Sequence, residues 1–369
     1  SPQETVMRTL RGLVVDDSSL NRRTIVAMLS EIPGITQVTE ASDGADALRL
    51  VEADPPDFIT LDLEMPRLDG FEFLQLLMDR HPLPVVVVSG RSAKENVFRA
   101  LELGAIDFLE KPQGDLALDN LRRQLLEKVR VVRQLSPLAL RKSTLGELDI
   151  GLDPRELRRP PKEPTVMKRV PNKVIVIGAS TGGPRALVTL FRHLHEDIDA
   201  ALVIAQHMPP RFTRTFADRL DRTGVVHVSE ARPYERLARG HAYVCPGGRS
   251  IEIVPSDRGP ALRVVEPDSR GRYVPSVNRL FETAARVLRD RAIAVVLTGM
   301  GDDGAEGASE IAKRGGTVLV EAPETAVVSG MPLAARHSGV PHQSLGIWDL
   351  GDMLAELARP AGERGSNFE

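Results

Sequence analysis

Cysteine is nearly missing from this chain. Cys245 is the single one in 369 residues, which excludes an internal disulfide framework and any cysteine-rich zinc site. No apolar run approaches the roughly 20 residues that span a bilayer, and no basic-then-apolar stretch opens the sequence. An excess of one charge sign is lacking as well. The formal net charge of −3 gives no reason to expect a nucleic-acid partner or a polybasic membrane anchor. Histidines and acids do not cluster at a spacing that suits zinc. Together these absences lead to the expectation of a cytoplasmic protein without membrane insertion.

What is present is ordinary in bulk and specific in detail. The chain is too long for one common core, and hydrophobic residues at 42% with charged residues at 27% fit two or three soluble globular domains. From residue 10 to about 134, β-rich runs at 10–15, 36–39, 58–61, 85–88 and 106–109 alternate with amphipathic helical patterns. Five such units predict a parallel, doubly wound sheet with ligands at the carboxyl ends of its strands. Residues 136–171 carry six prolines among many charges and no sustained apolar period. They read as an extended linker, with a short helix expected near 139–148. A second α/β pattern starts at Lys173, with apolar strands at 174–177, 201–205 and 292–297. The stretch 225–265 alternates more and reads as hairpins, with turns at 246–248 and 258–260.

Acids gather at the strand ends of the first domain. Asp16 and Asp17 follow one strand and Asp62 follows another, so a parallel sheet brings three carboxylates to one edge. Their mutual repulsion calls for a hard cation such as Mg²⁺. Ser89 and Lys111 end two further strands and add a hydroxyl and an ammonium to the same rim. That set suits phosphoryl transfer to a nucleophilic Asp62. Any one of these residues alone is an ordinary capping or surface group; four strand ends carrying a matching set are not.

In the second domain the strand from Lys173 ends in Gly178-Ala-Ser-Thr-Gly182, and a helical pattern follows from about Pro184. This is the sequence form of a nucleophile elbow, which lifts the Ser180 hydroxyl above the sheet edge. A glycine-rich turn that cradles a phosphate has the same look, so a base must decide. His207 closes the strand at 201–205 and is placed one strand along on the same edge. His241 opens a strand, His227 alternates within one, and His193 and His195 fall late in a helix. His207 is therefore the expected base. Asp302 and Asp303, in Leu297-Thr-Gly-Met-Gly-Asp-Asp-Gly304, are both candidates to orient the imidazole, or to cap the helix that follows. The amide of Met300 and those near Thr181 are candidate oxyanion donors. The order Ser…His…Asp differs from that of the common α/β-hydrolases.

The strings Val14-Val-Asp-Asp-Ser-Ser19, Leu61-Asp-Leu-Glu-Met-Pro-Arg-Leu-Asp-Gly70 and Phe108-Leu-Glu-Lys-Pro112 resemble the receiver domain of two-component response regulators. That resemblance implies phosphorylation at Asp62 by a histidine kinase, and Mg²⁺ held by Asp17 and Asp62 with Asp16 nearby. It also implies Ser89 and Phe108 as switch residues, with Lys111 on the phosphoryl group. Gly178-Ala-Ser-Thr-Gly-Gly183, Gln206-His-Met-Pro209, Gly240–Gly247, Pro275-Ser-Val277, Leu297–Gly304 and Val328-Ser-Gly-Met-Pro332 resemble the chemotaxis protein-glutamate methylesterases. This second resemblance implies a triad of Ser180, His207 and Asp303 without a cofactor, acting on methyl-esterified glutamates, and on glutamines, of methyl-accepting chemoreceptors. Two departures stand out: Tyr273-Val274 where the family carries Arg or His, and Asn278 where Asp is common. Neither is expected to touch the triad, and both are expected to alter substrate contacts.

The expected molecule is thus of the α/β class, with two doubly wound parallel-sheet domains joined by a linker. A flavodoxin-like receiver over 8–134 is followed by a linker over 135–171. A Rossmann-like serine hydrolase with a β-hairpin region then covers 172–360. It is expected to act as a monomer, inhibited by its receiver until Asp62 is phosphorylated. The alternative is a non-catalytic adaptor that binds an anionic ligand at the Ser180 loop.

Overall fold

In a computed structural model the chain divides into two compact units, Ser1–Gly151 and Leu152–Glu369. The structure describes residues 8–90, 94–111, 115–135, 170–196, 198–269 and 271–359. The linker segment 136–169 and the short helix expected within it lie outside these residues.

The first unit alternates β1 Leu10–Val15, α1 Ser19–Ser30, β2 Ile35–Ala41, α2 Gly44–Ala53, β3 Phe58–Leu61, α3 Gly70–Arg80, β4 Val85–Ser89, α4 Lys94–Glu102, β5 Asp107–Glu110 and α5 Asp115–Gln134. The strands form one parallel sheet in the order β2-β1-β3-β4-β5. Strands β3 and β4 are buried throughout, as strands covered by helices on both faces must be. Polar side chains start the helices where the apolar periods begin. Ser18 caps α1, Asp43 caps α2, and Asp69 with Glu72 forms a reciprocal capping box on α3, each satisfying amides that have no partner within the helix.

In the second unit, β6 Lys173–Ala179, α6 Gly183–Arg192, β7 Ala200–Gln206, α7 Thr213–Thr223, β8 His227–Glu230 and β9 His241–Val244 come first. The hairpin strands β10 Ser250–Val254 and β11 Ala261–Val265 follow, then α8 Val277–Leu288, β12 Ala292–Val296, α9 Ala305–Lys313, β13 Thr317–Glu321, α10 Gly330–His337, β14 Gln343–Leu345 and α11 Ile347–Ala358. Seven strands pair in parallel in the order β14-β13-β12-β6-β7-β9-β8. The chain leaves β6 toward β7 on one side and returns to β12 on the other. The strand order therefore reverses at β6, and the crevice above its carboxyl end is the usual ligand position in such sheets.

The sheet corrects one expectation. Within residues 225–265 only β10 and β11 form an antiparallel hairpin, turned at Ser256–Gly259. Strands β8 and β9 belong to the main sheet and run parallel, so residues 246–248 connect two sheets and do not turn a hairpin. Strand β8 is an edge strand with one face half exposed, and that gives it the alternating pattern of a hairpin arm. The hairpin is tied to α8 by Glu252, which accepts from Arg263 of β11 and from Arg279 of α8. Phe281 and Leu280 of α8 are fully buried, each contributing about 1.5–3 kcal/mol through removal from water. This packing fixes the N-terminus of α8 beside the end of β12.

Candidate functional sites

In the first unit, Asp16 and Asp62 are buried and Asp17 is exposed. One carboxylate oxygen from each lies within 4.8 Å of the others, an all-oxygen cluster able to hold a metal ion. The Ser18 amide donates to Asp16 at 2.8 Å and the Glu64 amide to Asp62 at 3.2 Å, which aims the carboxylates inward. Lys111 reaches into the cluster, pairing with Asp62 and lying 3.2 Å from Asp16. Burial pushes the Asp62 carboxyl up from its ordinary value, with Asp16 adding to the effect and Lys111 opposing it. Burial works against a charged Lys111, yet contacts with Asp62 and Asp16 outweigh it and its pKa is raised. Three carboxylates facing one ammonium leave negative charge uncompensated, so the donor set fits a divalent cation of the hard, oxygen-seeking kind. Ser89 and Phe108 are buried on β4 and β5 beside this rim, and the Lys111 amide donates to the Ser89 carbonyl at 2.9 Å.

The second site is built at the ends of β6, β7 and β12. Ser180 follows β6, and its amide donates to the Thr298 carbonyl beyond β12 at 3.0 Å. The positive φ of this turn falls on Gly182 (+79°), so Ser180 itself carries no left-handed strain. In this it differs from the strained elbow of α/β-hydrolases. His207 follows β7, and its amide donates to the Ala179 carbonyl at 3.0 Å. The Gln206 side chain donates to the carbonyls of both Ser180 and His207 at 2.9 Å, fastening the two loops together. Gly299 lies so close that a Cβ there would stand 2.8 Å from the Ser180 Cβ and 2.3 Å from the Met331 sulfur. Only glycine lets the Met300 segment approach the serine this closely.

His207 Nε2 lies 2.9 Å from Oδ2 of Asp303, which is 1% exposed. The same carboxylate accepts the amides of Val277 (2.8 Å) and Asn278 (2.9 Å) at the start of α8. A buried carboxylate thus meets three donors, two of them at a helix N-terminus that favours negative charge. Asp302 points elsewhere, accepting the Tyr273 hydroxyl at 2.8 Å. Neither Asp side chain caps α9. Asn278 does so from the neighbouring helix, its Oδ1 accepting from Gly304 and Gly307 at 2.9 Å each.

Both departures in the sequence therefore touch the site, against expectation. The Tyr273 ring stacks on His207, centroids 5.3 Å apart and 7° from parallel, and Asn278 binds Asp303 through its amide. The reason is tertiary: the turn before α8 is brought back over the sheet edge by the α8–hairpin packing. The other histidines lie apart. His193 pairs with the Thr189 carbonyl, His195 with Asp352, His227 with Asp221 and His241 with Ser229. Gln206 and Glu321 were not singled out by sequence reasoning. Glu321 is buried at the end of β13 and accepts the Thr298 amide at 2.8 Å. The Thr298 hydroxyl in turn donates to the Thr181 carbonyl at 3.0 Å. A Gln or Glu at the end of an apolar strand was the only available signal for either residue.

Among the described residues no helix is long and apolar enough to cross a membrane. The family profile described as CheB methylesterase matches residues 175–354, and that of the response regulator receiver domain matches residues 13–123. A protein-glutamate methylesterase/protein-glutamine glutaminase of Myxococcus xanthus is 43% identical over 94% of this chain and 96% of its own length. A namesake from Anaeromyxobacter dehalogenans is 45% identical over 96% of this chain and 97% of its own. One from Geobacter sulfurreducens is 39% identical over 96% and 98%. With both profiles in sequence order and relatives aligned along nearly their whole length, the chain belongs to the CheB methylesterase family, in the form that carries a receiver domain ahead of the hydrolase.

Proposed function

We propose that this chain is a protein-glutamate methylesterase and protein-glutamine glutaminase that acts on chemoreceptors and is switched on by phosphorylation. The observation that carries the reading is the His207–Asp303 pair at 2.9 Å, beside Ser180 at the point where the strand order reverses. Ser180 Oγ attacks the carbonyl carbon of a glutamate methyl ester. His207 takes the hydroxyl proton, and the amides of Thr181 and Met300 receive the charge that develops on the carbonyl oxygen. With Nε2 facing Asp303, the tautomer that carries its proton on Nε2 donates to that carboxylate and leaves Nδ1 to accept the serine proton. The ring is thus reversed relative to the familiar serine-protease arrangement. The proton passes to the departing methoxide and methanol leaves. Water then attacks the acyl-enzyme, with His207 again as base. A glutamine side chain follows the same course with ammonia as the leaving group.

Control lies in the receiver. Asp62 accepts a phosphoryl group from a histidine kinase, Lys111 meets the incoming oxygens, and Ser89 and Phe108 relay the change. Asp16, Asp17 and Asp62 would hold Mg²⁺, which when bound offsets the phosphoryl charge. The hydrolase site itself uses no cofactor in this reading, and a cytoplasmic location fits a kinase donor.

The test is methanol release from methylated receptor membranes, with and without Mg²⁺ and acetyl phosphate. Release should rise with the phosphodonor, and Ser180→Ala should fall to the background. A Ser180→Ala chain with full turnover, or no release under either condition, would overturn the assignment.

A further inference from the structure

The stack on His207 is more than a neighbouring contact. Tyr273 is fixed at both ends: its ring lies nearly parallel to the imidazole, and its hydroxyl donates to Asp302 at 2.8 Å. Asp302 is held in turn, with Arg272 Nη1 at 3.6 Å, and the Arg272 guanidinium sits 5.1 Å from the Tyr273 ring centre. The loop is shaped around the phenol. At Gly301, with φ +93°, a Cβ would meet the Tyr273 oxygen at 2.3 Å, so the hydroxyl occupies the space a side chain would take. Two adjacent acids therefore hold two adjacent rings, Asp303 the imidazole and Asp302 the phenol.

We propose that Tyr273 is a positioning residue of the hydrolase, holding the plane of the His207 ring in the orientation set by its hydrogen bond to Asp303. Asp303 contacts the imidazole at one nitrogen and leaves rotation about that hydrogen bond open. A parallel aromatic face removes it. The same face lies within the roughly 6 Å at which an aromatic ring attracts a cation, so it also favours the imidazolium that forms as Ser180 attacks. The proposal rests on the serine-hydrolase reading above.

The experiment compares Tyr273→Phe, Tyr273→Leu and Tyr273→Ala in the full-length chain treated with Mg²⁺ and acetyl phosphate. The rate of covalent labelling by a small fluorophosphonate is read first, because it reports on Ser180 and its base without a receptor. Tyr273→Phe keeps the ring and should label within about twofold of the wild type. Tyr273→Leu keeps bulk without a π face, and with Tyr273→Ala it should label about fivefold to tenfold more slowly, the range an aromatic contact supports. In methanol release the same two variants should lose kcat by a similar factor with KM unchanged. Labelling of the Leu and Ala variants at the wild-type rate would overturn the proposal. So would a defect confined to KM for receptor membranes, which would make Tyr273 a substrate contact. If the wild type labels but releases no methanol, the receptor assignment fails while the ranking of the variants still decides the role of Tyr273.

Discussion

Glu321 is buried at the end of β13, where it binds the amide of Thr298, just ahead of Met300 in the chain. Its carboxyl takes the Thr298 amide at 2.8 Å and the Thr325 hydroxyl at 3.0 Å. Burial pushes its pKa up to about 7, against the pull of those two hydrogen bonds. The direction fixes the consequence. A carboxyl whose pKa is higher in the folded chain holds a proton there that the unfolded chain has released. Its contribution to stability is complete below about 4.5, where both states are protonated, and is lost as pH rises to about 7. That gap corresponds to on the order of 3 kcal/mol. Glu321→Gln keeps the acceptor for Thr298 and removes the ionisation. The melting temperature of the variant should therefore gain on that of the wild type between pH 5 and pH 8, then run parallel to it. A constant offset across that range would show that the carboxyl does not titrate there.

The elements placed most firmly by the sequence are those whose signal is local. Strands β1, β3, β4, β6, β7 and β12 are apolar runs, and the residues that close them, Asp16, Asp62, Ser89, Ser180 and His207, are adjacent in sequence to strands that could be recognised. What joins one element to another left no comparable trace. Strand β14 is three residues long and mostly exposed, with no period to detect, and edge strand β8 imitates a hairpin arm. Tyr273 and Asn278 read as substrate contacts away from the triad because the α8 packing that brings them to the sheet edge is not written locally. Asn278 shows what such a contact does. Helix α9 begins at Gly304, which has no side chain to cap it, and Asn278 of α8 supplies the acceptor from outside. Asn278→Ala should cost about 1 kcal/mol, the usual value of a lost cap, and should loosen the Asp303 loop so that kcat falls while KM for receptor membranes holds. Asn278→Asp keeps an acceptor at a helix N-terminus and should retain stability and most of the rate. Thermal melts and methanol release on the two variants distinguish a capping role from a substrate contact, since a contact would move KM instead.

At the scale of the molecule, the acidic cluster of one unit and the serine of the other must be coupled through the chain if phosphorylation is to control hydrolysis. The receiver is proposed to hold the hydrolase in an inactive state, and phosphorylation of Asp62 to shift the balance toward the active one. The arithmetic is demanding. Moving such an equilibrium from 1:99 to 99:1 takes about 5.5 kcal/mol of differential stabilisation. A phosphoryl group on buried Asp62 would draw Lys111 from its pairing with Asp62 and Asp16 onto the phosphoryl oxygens, a rearrangement at the rim that also carries Ser89 and Phe108. A chain lacking residues 1–134 should therefore release methanol faster than the untreated full chain and ignore acetyl phosphate. Asp62→Asn in the full chain should lose the phosphodonor response altogether. The ratio of the truncated rate to the untreated full-length rate measures how far the resting equilibrium lies toward inhibition, and a 1:99 balance corresponds to a ratio near one hundred. If the truncated chain is no faster than the untreated full chain, the receiver does not inhibit, and phosphorylation must act by raising the activity of an already open site.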